Sequence, residues 1–363
     1  MFISAFRSLV QNRDTRWMVR QLARGPHKLS KLRNIARVQW AKLRKDPSAG
    51  RGMPLIVSVE PTNACNMKCP MCPTGLDALT RKKGMMDFTG FSRLLDQIER
   101  TTLIMTFWGI GESTLHPRLY EMIGMARRRG ILTMLTMNGT NFDPVAMLDS
   151  GLDYLVVSFD GTREESYAPV RRGGQLQHAI DGVRAIVAER KRRGVTYPKI
   201  NMGFIVTRLN QDELPQLEAF AHEIGFDSVR PKYLHTITRQ VAEELRPSRP
   251  ELVGNLGQEG PGRMLEQDIP GITPLLAPNG CGLLWEYAMI FQDGTMAPCC
   301  YDWDATAQLG NAFHDDFRSL WHGEAYTEFR RRVTHDKQSM ELCKNCEGGD
   351  ISVFFSDTFL LNK

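Results

Sequence analysis

Short apolar runs alternate with amphipathic stretches along most of the chain. Six runs rich in Ile, Leu, Val, Met and Phe read as buried strands, at 55–60, 102–108, 131–137, 153–159, 199–206 and 226–233. Between them, helical periodicity predicts helices at 88–99, 117–129, 143–149, 175–193 and 211–224. This alternation predicts repeated βα units with a parallel sheet. Six units predict an α/β fold built as an open partial (β/α)6 barrel, not the closed eight-stranded form.

The segment before the first strand has a different character. Residues 1–51 hold thirteen Lys or Arg against Asp14 and Asp46, with apolar residues at near-helical spacing. We expect residues 1–54 to form two or three basic amphipathic helices. Such an extension could contact an anionic membrane surface, pack on the barrel or dock an electron donor. It carries no recognised nucleic-acid-binding pattern, so no nucleic acid is expected as a partner.

Composition narrows the class of protein. The 363 residues are 42% hydrophobic and 24% charged, as expected for a folded globular chain of one large and one smaller domain. Neither a long uncharged apolar run nor a secretory signal pattern is present, so we expect a cytoplasmic protein, free or peripheral to the membrane. The Pro- and Gly-rich residues 236–280 suggest a connecting or substrate-covering segment between a core domain at 55–235 and a small domain at 281–363.

Eight cysteines form two groups along the chain. In a reducing compartment such groups are metal ligands more often than disulfides. Cys65, Cys69 and Cys72 follow the first strand directly. Three thiolates in one loop can bind three irons of a 4Fe-4S cluster and leave the fourth open for another ligand. A zinc site completed by a distant residue, or simple packing, is the alternative.

The first cysteine group stands in the segment EPTNACNMKCPMCPTG at 60–75, which resembles the radical SAM superfamily. The resemblance covers roughly residues 55–235. It implies a 4Fe-4S cluster whose open iron binds S-adenosylmethionine (SAM), and cleavage of SAM to a 5′-deoxyadenosyl radical. It also implies eight residues that contact SAM, namely Met71, Gly109, Gly111, Glu112, Asn138, Ser158, Asp160 and Arg171. Turn formation explains several of these residues equally well.

The second group resembles the auxiliary-cluster modules called SPASM and twitch. Its members Cys281, Cys299, Cys343 and Cys346 suffice for one auxiliary 4Fe-4S cluster, in an order similar to the 2-deoxy-scyllo-inosamine dehydrogenases. Four thiolates would close the site, which favours electron transfer or a structural role, and structural zinc is the alternative. Cys300 is left over as a packed thiol, an alternative ligand or a hydrogen-atom donor.

These features predict an oxidoreductase that abstracts hydrogen from a small polyol, sugar or lipid-linked glycan, with the auxiliary cluster accepting an electron. A radical epimerase using Cys300, a peptide-modifying enzyme and a zinc-stabilised scaffold are the alternatives. Arg230, Lys232 and His235 lie at or just after the end of the sixth strand and are candidates for a base. They could instead form a cationic rim that attracts an anionic substrate. Flavodoxin or ferredoxin is the expected electron donor.

Overall fold

The computed structural model describes residues 25–253, 280–344, 346, 348 and 349. Its strands form one sheet, and they are β1 (Ile56–Val59), β2 (Ile104–Phe107), β3 (Leu132–Met137), β4 (Tyr154–Ser158), β5 (Lys199–Ile205), β6 (Ser228–Lys232), β7 (Tyr287–Ile290) and β8 (Met296–Ala297). Each of the six strands predicted from the sequence is confirmed, shortened by a few residues at its ends.

The strand order in the sheet is β6-β5-β4-β3-β2-β1-β7-β8. Strands β1 to β6 lie side by side in chain order and are parallel, as in the register of Val57 with Met105 and of Leu155 with Ile200. This confirms the predicted partial barrel. Strand β7 adds a seventh parallel strand next to β1, with Ile56 opposite Tyr287, and β8 pairs antiparallel with β7. The C-terminal cysteine segment therefore shares the sheet of the barrel, which the sequence did not indicate.

Helices cover the outer face of the sheet. Those of the described residues are α1 (Lys28–Leu43), α2 (Phe88–Ile98), α3 (Leu119–Arg128), α4 (Pro144–Asp149), α5 (Glu164–Tyr167), α6 (Leu176–Arg193), α7 (Leu217–Ile224), α8 (Arg239–Leu245), α9 (Leu283–Glu286), α10 (Phe317–His322) and α11 (Glu324–His335). The helix predicted at 211–224 is divided, with a 3-10 turn over Gln211–Gln216 before α7. Pro215 lies in that turn and lacks the N–H that an α-helix would use there.

Side chains alternate between the two faces of the sheet, as strand geometry requires. Leu155 and Val157 belong to the main hydrophobic core beneath the helices. Tyr154 and Val156 belong to a separate small cluster with Met134 on the opposite, inner face. We call the space enclosed by this inner face the lumen. The lumen-facing positions of β4 to β6 carry the polar and charged side chains discussed below.

Helix α1 is the part of the basic extension that the structure describes. Its buried positions include Lys31 and Asn34, whereas the apolar residues Leu29, Leu32 and Trp40 are more than half exposed. Burial of this polar side is possible because Lys31 donates to the Gly130 carbonyl at 2.6 Å and Asn34 to that of Met53 at 2.9 Å. The apolar positions predicted at 2–22 lie outside the described residues.

Candidate iron-sulfur and substrate site

The first cysteine loop connects β1 to α2 and is held against the loop that follows β2. Glu112 donates its backbone N–H to the Ala64 carbonyl at 2.8 Å. A Cβ on Gly111 would lie 2.2 Å from the Thr62 carbonyl oxygen, so only glycine fits there. Burial raises the pKa of the Cys65 thiol to about 11, with Glu112 and the other two thiols of the loop adding to the rise. The three thiols therefore lie together beside the turn formed by residues 109–112, Gly-Ile-Gly-Glu, which we call the GIGE turn.

Glu112 is buried and anchors two loops. Its Oε1 accepts from the Thr114 backbone at 3.1 Å and from the Thr114 hydroxyl at 2.7 Å, and its Oε2 accepts from the Asn138 N–H at 2.7 Å. Burial raises the pKa of the Glu112 carboxyl group despite these donors. Asn138 in turn donates to Asn66 of the cysteine loop at 2.8 Å. The structure thus brings Gly111, Glu112 and Asn138 together around the first cysteine group.

Asp160 and Arg171 form a buried ion pair at 2.5 Å beside Cys69. Asp160 has a positive φ of 43° and accepts from the Ile205 N–H at 2.7 Å, which ties the end of β4 to β5. Burial opposes the charge of Arg171, but Asp160, Cys69 and Tyr167 together raise its pKa above the ordinary value. Burial raises the pKa of the Cys69 thiol and the nearby guanidinium works against that rise.

Three other expected SAM contacts are placed differently. The Met71 side chain packs into a small apolar cluster with Val170 and Leu234, so its backbone is the part left for a ligand. Gly109 lies against Glu60, where a Cβ would approach the carboxylate to 2.7 Å. Ser158 ends β4, is partly exposed and pairs with Gly203 of β5. Their roles toward SAM stay predictions.

The second cysteine group surrounds one cavity in the C-terminal segment. Cys281, Cys299, Cys343 and Cys346 all line it. Burial raises the pKa of Cys343 to about 12 and places that of Cys299 well above its ordinary value. Lys337 also lines the cavity and donates to the Cys346 carbonyl at 2.5 Å. This buried cation, which sequence reasoning missed, offsets the negative charge that thiolates bring.

No three His, Cys, Asp or Glu side chains of the described residues converge closely enough to hold a single metal ion. Thiolates of a cubic cluster stand further apart, because each binds a different iron. Four cysteine thiols around one cavity are a donor set that an auxiliary iron-sulfur cluster or a structural zinc ion would each accept.

Cys300 is absent from the lining of that cavity and contacts Tyr287 of β7 instead. Burial raises the pKa of the Cys300 thiol to about 12, while the Tyr287 hydroxyl stabilises its charged form. Tyr287 also approaches Ser58 and Trp108, which are neighbours at 2.9 Å on the inner side of β1 and β2. Cys300 is thus between the cluster cavity and the lumen.

The candidates for a base lie at the lumen end of β6. Arg230 is buried and donates to the Tyr154 hydroxyl at 2.7 Å. Lys232 lies two positions further on, where the charges of Arg230, Asp160 and Cys300 act on its ammonium group. The His235 ring lies 5.3 Å from that of Tyr301, which lines the cluster cavity, with Nε2 3.4 Å from the hydroxyl. Burial, followed by Lys232, lowers the pKa of His235 to about 4, so the imidazole is neutral.

Arg81 joins the two cysteine regions, and sequence reasoning missed it. Its guanidinium donates to Glu60 at 2.8 and 3.1 Å, to Gln292 at 2.7 Å and to the Trp303 carbonyl at 2.9 Å. Glu60 also accepts from the Ile110 N–H of the GIGE turn at 3.1 Å. The C-terminal segment is therefore tied to the turn next to the first cysteine loop. No local motif marks Arg81, since its partners come from distant parts of the chain.

Comparison with known proteins identifies the class. The Radical SAM superfamily matches residues 59–220, and the iron-sulfur cluster-binding domain SPASM matches residues 281–347. The chain therefore carries a radical SAM domain and, C-terminal to it, a SPASM domain. The two matches together define a radical SAM enzyme with a C-terminal SPASM domain. Its cofactors are SAM, a 4Fe-4S cluster and auxiliary iron-sulfur clusters. The resemblance to radical SAM and SPASM proteins, the fold class and the cofactors expected from the sequence are confirmed.

Relatives with curated names include several modifying enzymes. The chain is 26% identical, over 75% of its length and 82% of the relative's, to the "tungsten-containing aldehyde ferredoxin oxidoreductase cofactor-modifying protein" of Pyrococcus furiosus. It is 30% identical to the PqqA peptide cyclase of Gluconobacter oxydans over 55% of each chain. It is 25% identical to the mycofactocin maturase MftC of Mycolicibacterium smegmatis, over 82% of this chain and 76% of that one.

Solved structures share the fold. Streptococcus suis SuiB bound to S-adenosylmethionine superimposes with a TM-score of 0.59 at 18% identity, over 85% of this chain and 75% of that one.

In the part of the chain that the structure describes, no helix combines the length and apolarity needed to cross a membrane.

Proposed function

We propose that this radical SAM enzyme modifies a peptide. The observation that carries the proposal is similarity over most of the chain to enzymes named as a peptide cyclase and a maturase, at 25% identity over 82% of its length. The expectation of a polyol, sugar or lipid-linked glycan substrate has less support, because none of the names of the relatives above mentions such a compound. The peptide alternative drawn from the sequence is the better-supported one.

Cys65, Cys69 and Cys72 are the proposed ligands of the SAM-binding cluster. Burial raises the pKa of the Cys65 and Cys69 thiols in the metal-free chain, and iron would supply the positive charge that stabilises thiolates. When bound, the cluster and SAM supply the 5′-deoxyadenosyl radical that takes a hydrogen atom from the substrate. The Oε2 atom of Glu112 keeps a lone pair that could accept from the SAM ammonium group, because Asn138 is its one donor among the described residues, whereas Oε1 already accepts two hydrogen bonds from Thr114.

Cys281, Cys299, Cys343 and Cys346 are the proposed ligands of one auxiliary cluster. Lys337 lowers the electrostatic cost of placing four thiolates in a buried cavity. Cys300, turned toward Tyr287, stays outside this ligand set. The same position keeps the hydrogen-donor role of an epimerase as the second candidate function, since the thiol lies between the cavity and the lumen.

The test uses the deuterium content of 5′-deoxyadenosine. Anaerobically reconstituted enzyme is incubated with SAM, dithionite and either peptides or soluble glycans extracted from cells grown in deuterated medium. A peptide substrate transfers deuterium from the peptide fraction alone. Deuterium transfer from the glycan fraction alone would reject the proposal, and Cys72→Ala serves as the control without SAM cleavage. Flavodoxin or ferredoxin as reductant, and contact of the basic extension with a membrane, stay predictions that separate assays must address.

A further inference from the structure

Strand β6 places two cations on the lumen side of the sheet. Arg230 and Lys232 are two residues apart, so both side chains leave the same face of the strand. Val229, between Ser228 and Arg230, belongs to the outer core, which fixes the opposite direction for its neighbours. Arg230 pairs with Gly203 across the sheet, where the partner contributes no side chain to fill the lumen.

Arg230 is held in one orientation. Its guanidinium donates to the Tyr154 hydroxyl at 2.7 Å and lies 4.9 Å from the centroid of that ring. Tyr154 starts β4, two strands away from β6, so the guanidinium reaches across the inner face. Arg230 is 7% exposed, and its fixed positive charge contributes to the potential in the lumen.

Lys232 is the next cation toward the open end. Part of its side chain is exposed to solvent, and Arg230, Arg171, Asp160 and Cys300 lie close enough to act on its charge. Burial lowers the pKa of Lys232, and Arg230 and Arg171 lower it further, against Asp160 and Cys300. Among the residues that the structure describes, no carboxylate forms an ion pair with its ammonium group. Asp160, the nearby acid, is already paired with Arg171 at 2.5 Å.

We propose that Lys232, next to the fixed Arg230, binds a carboxylate group of the substrate inside the lumen. An ammonium group that lies beside two guanidinium groups and has no anionic partner is destabilised by their repulsion, and a ligand carboxylate offsets that repulsion through a charge-assisted hydrogen bond. The site lies near Cys300, on the side of the lumen that faces the second cysteine group. That the carboxylate belongs to a peptide rests on the proposed function, whereas the carboxylate itself rests on the lumen charges.

Acylation of Lys232 by an N-hydroxysuccinimide ester, followed by peptide mass spectrometry, tests the proposal. The full chain is reconstituted anaerobically and saturated with SAM without reductant. The peptide probes are acetyl-Gly-Glu-Gly-amide, the neutral acetyl-Gly-Gln-Gly-amide, and acetyl-Gly-Gly-Gly with a free C-terminal carboxylate. Glutarate and glutaramide are the matched non-peptide pair. Lys191, exposed on α6, is the internal control lysine.

A bound carboxylate that raises the pKa of Lys232 by about one unit slows acylation about tenfold, because only the neutral amine reacts. We expect the acidic probes to protect Lys232 and the neutral ones to leave it reactive, with Lys191 unchanged throughout. The better of the two acidic peptides identifies a side-chain or a C-terminal carboxylate. Equal protection by the glutamine peptide, or complete protection by SAM alone, would overturn the subsite.

The outcomes separate the subsite from the proposed peptide substrate. Protection by glutarate without protection by any peptide would uphold the carboxylate site and count against a peptide. Binding of the peptides in equilibrium dialysis without protection by any carboxylate would do the reverse. In the same dialysis Lys232→Met should weaken the best acidic probe about tenfold or more, and Lys232→Arg should retain most of the affinity.

Discussion

Replacing Arg81 by Met tests whether a buried ion pair couples the two halves of the site. The substitution keeps an unbranched side chain and removes the guanidinium donors to Glu60, Gln292 and Trp303. It also removes the guanidinium that lies 3.9 Å from the centroid of the Phe291 ring. Glu60, fully buried, would keep only the Ile110 N–H as a donor.

Removing one partner of a buried pair costs about 3–5 kcal/mol, because a charge stays in the interior without compensation. We therefore expect Arg81→Met to lower the free energy of unfolding by that amount, measured by urea denaturation under anaerobic conditions. The matched control is Arg331→Met, which breaks an exposed pair with Glu328 at 2.7 Å. Its expected effect is below about 1 kcal/mol, because solvent screens that pair.

A second variant separates charge from packing. Glu60→Gln combined with Arg81→Met removes both charges and should recover part of the lost stability, since no uncompensated carboxylate is left. Equal unfolding free energies for Arg81→Met and Arg331→Met would refute the reasoning. The change that SAM binding causes in the electron paramagnetic resonance spectrum of the cluster should also differ between Arg81→Met and the wild type. Such a difference would report that the turn at Ile110 is no longer held in place.

Three further changes have defined outcomes. Gly111→Ala should abolish SAM binding in an equilibrium assay while the protein stays folded, because the new Cβ meets the Thr62 carbonyl; unaltered binding would contradict the close approach. Cys299→Ala should lose about four irons per chain by chemical analysis and Cys300→Ala none, since only the former lines the cluster cavity; the opposite result would exchange their roles. Folding disfavours protonation of His235, whose pKa falls from 6.5 to about 4, so the wild type should lose about 3 kcal/mol of unfolding free energy as the pH falls through that range. His235→Phe should lose correspondingly less, and an identical pH profile would show that this histidine contributes nothing.

The sequence by itself determined the strands and the nature of the chemistry. Strands such as β3 and β4 are short runs of apolar residues that bury both faces, and this pattern survives without knowledge of the neighbours. The first cysteine loop was equally readable, because Cys65, Cys69 and Cys72 are local in the chain and their spacing alone suits a cluster. Local patterns need no tertiary information.

Tertiary structure decided which distant residues meet. The placement of β7 beside β1 brings Tyr287, with Cys300 next to it, close to Ser58 of β1, and no periodicity in the sequence encodes that pairing. Helix α1 is a second example. Its amphipathic pattern predicted a helix, but the long-range hydrogen bond from Lys31 to the Gly130 carbonyl determines which side of the helix is buried. The sequence offered Lys232 as a candidate base or as part of a cationic rim, without indicating which groups lie around it. Its surroundings come from the fold, which brings Arg230, Arg171, Asp160 and Cys300 from separate parts of the chain close enough to act on its charge.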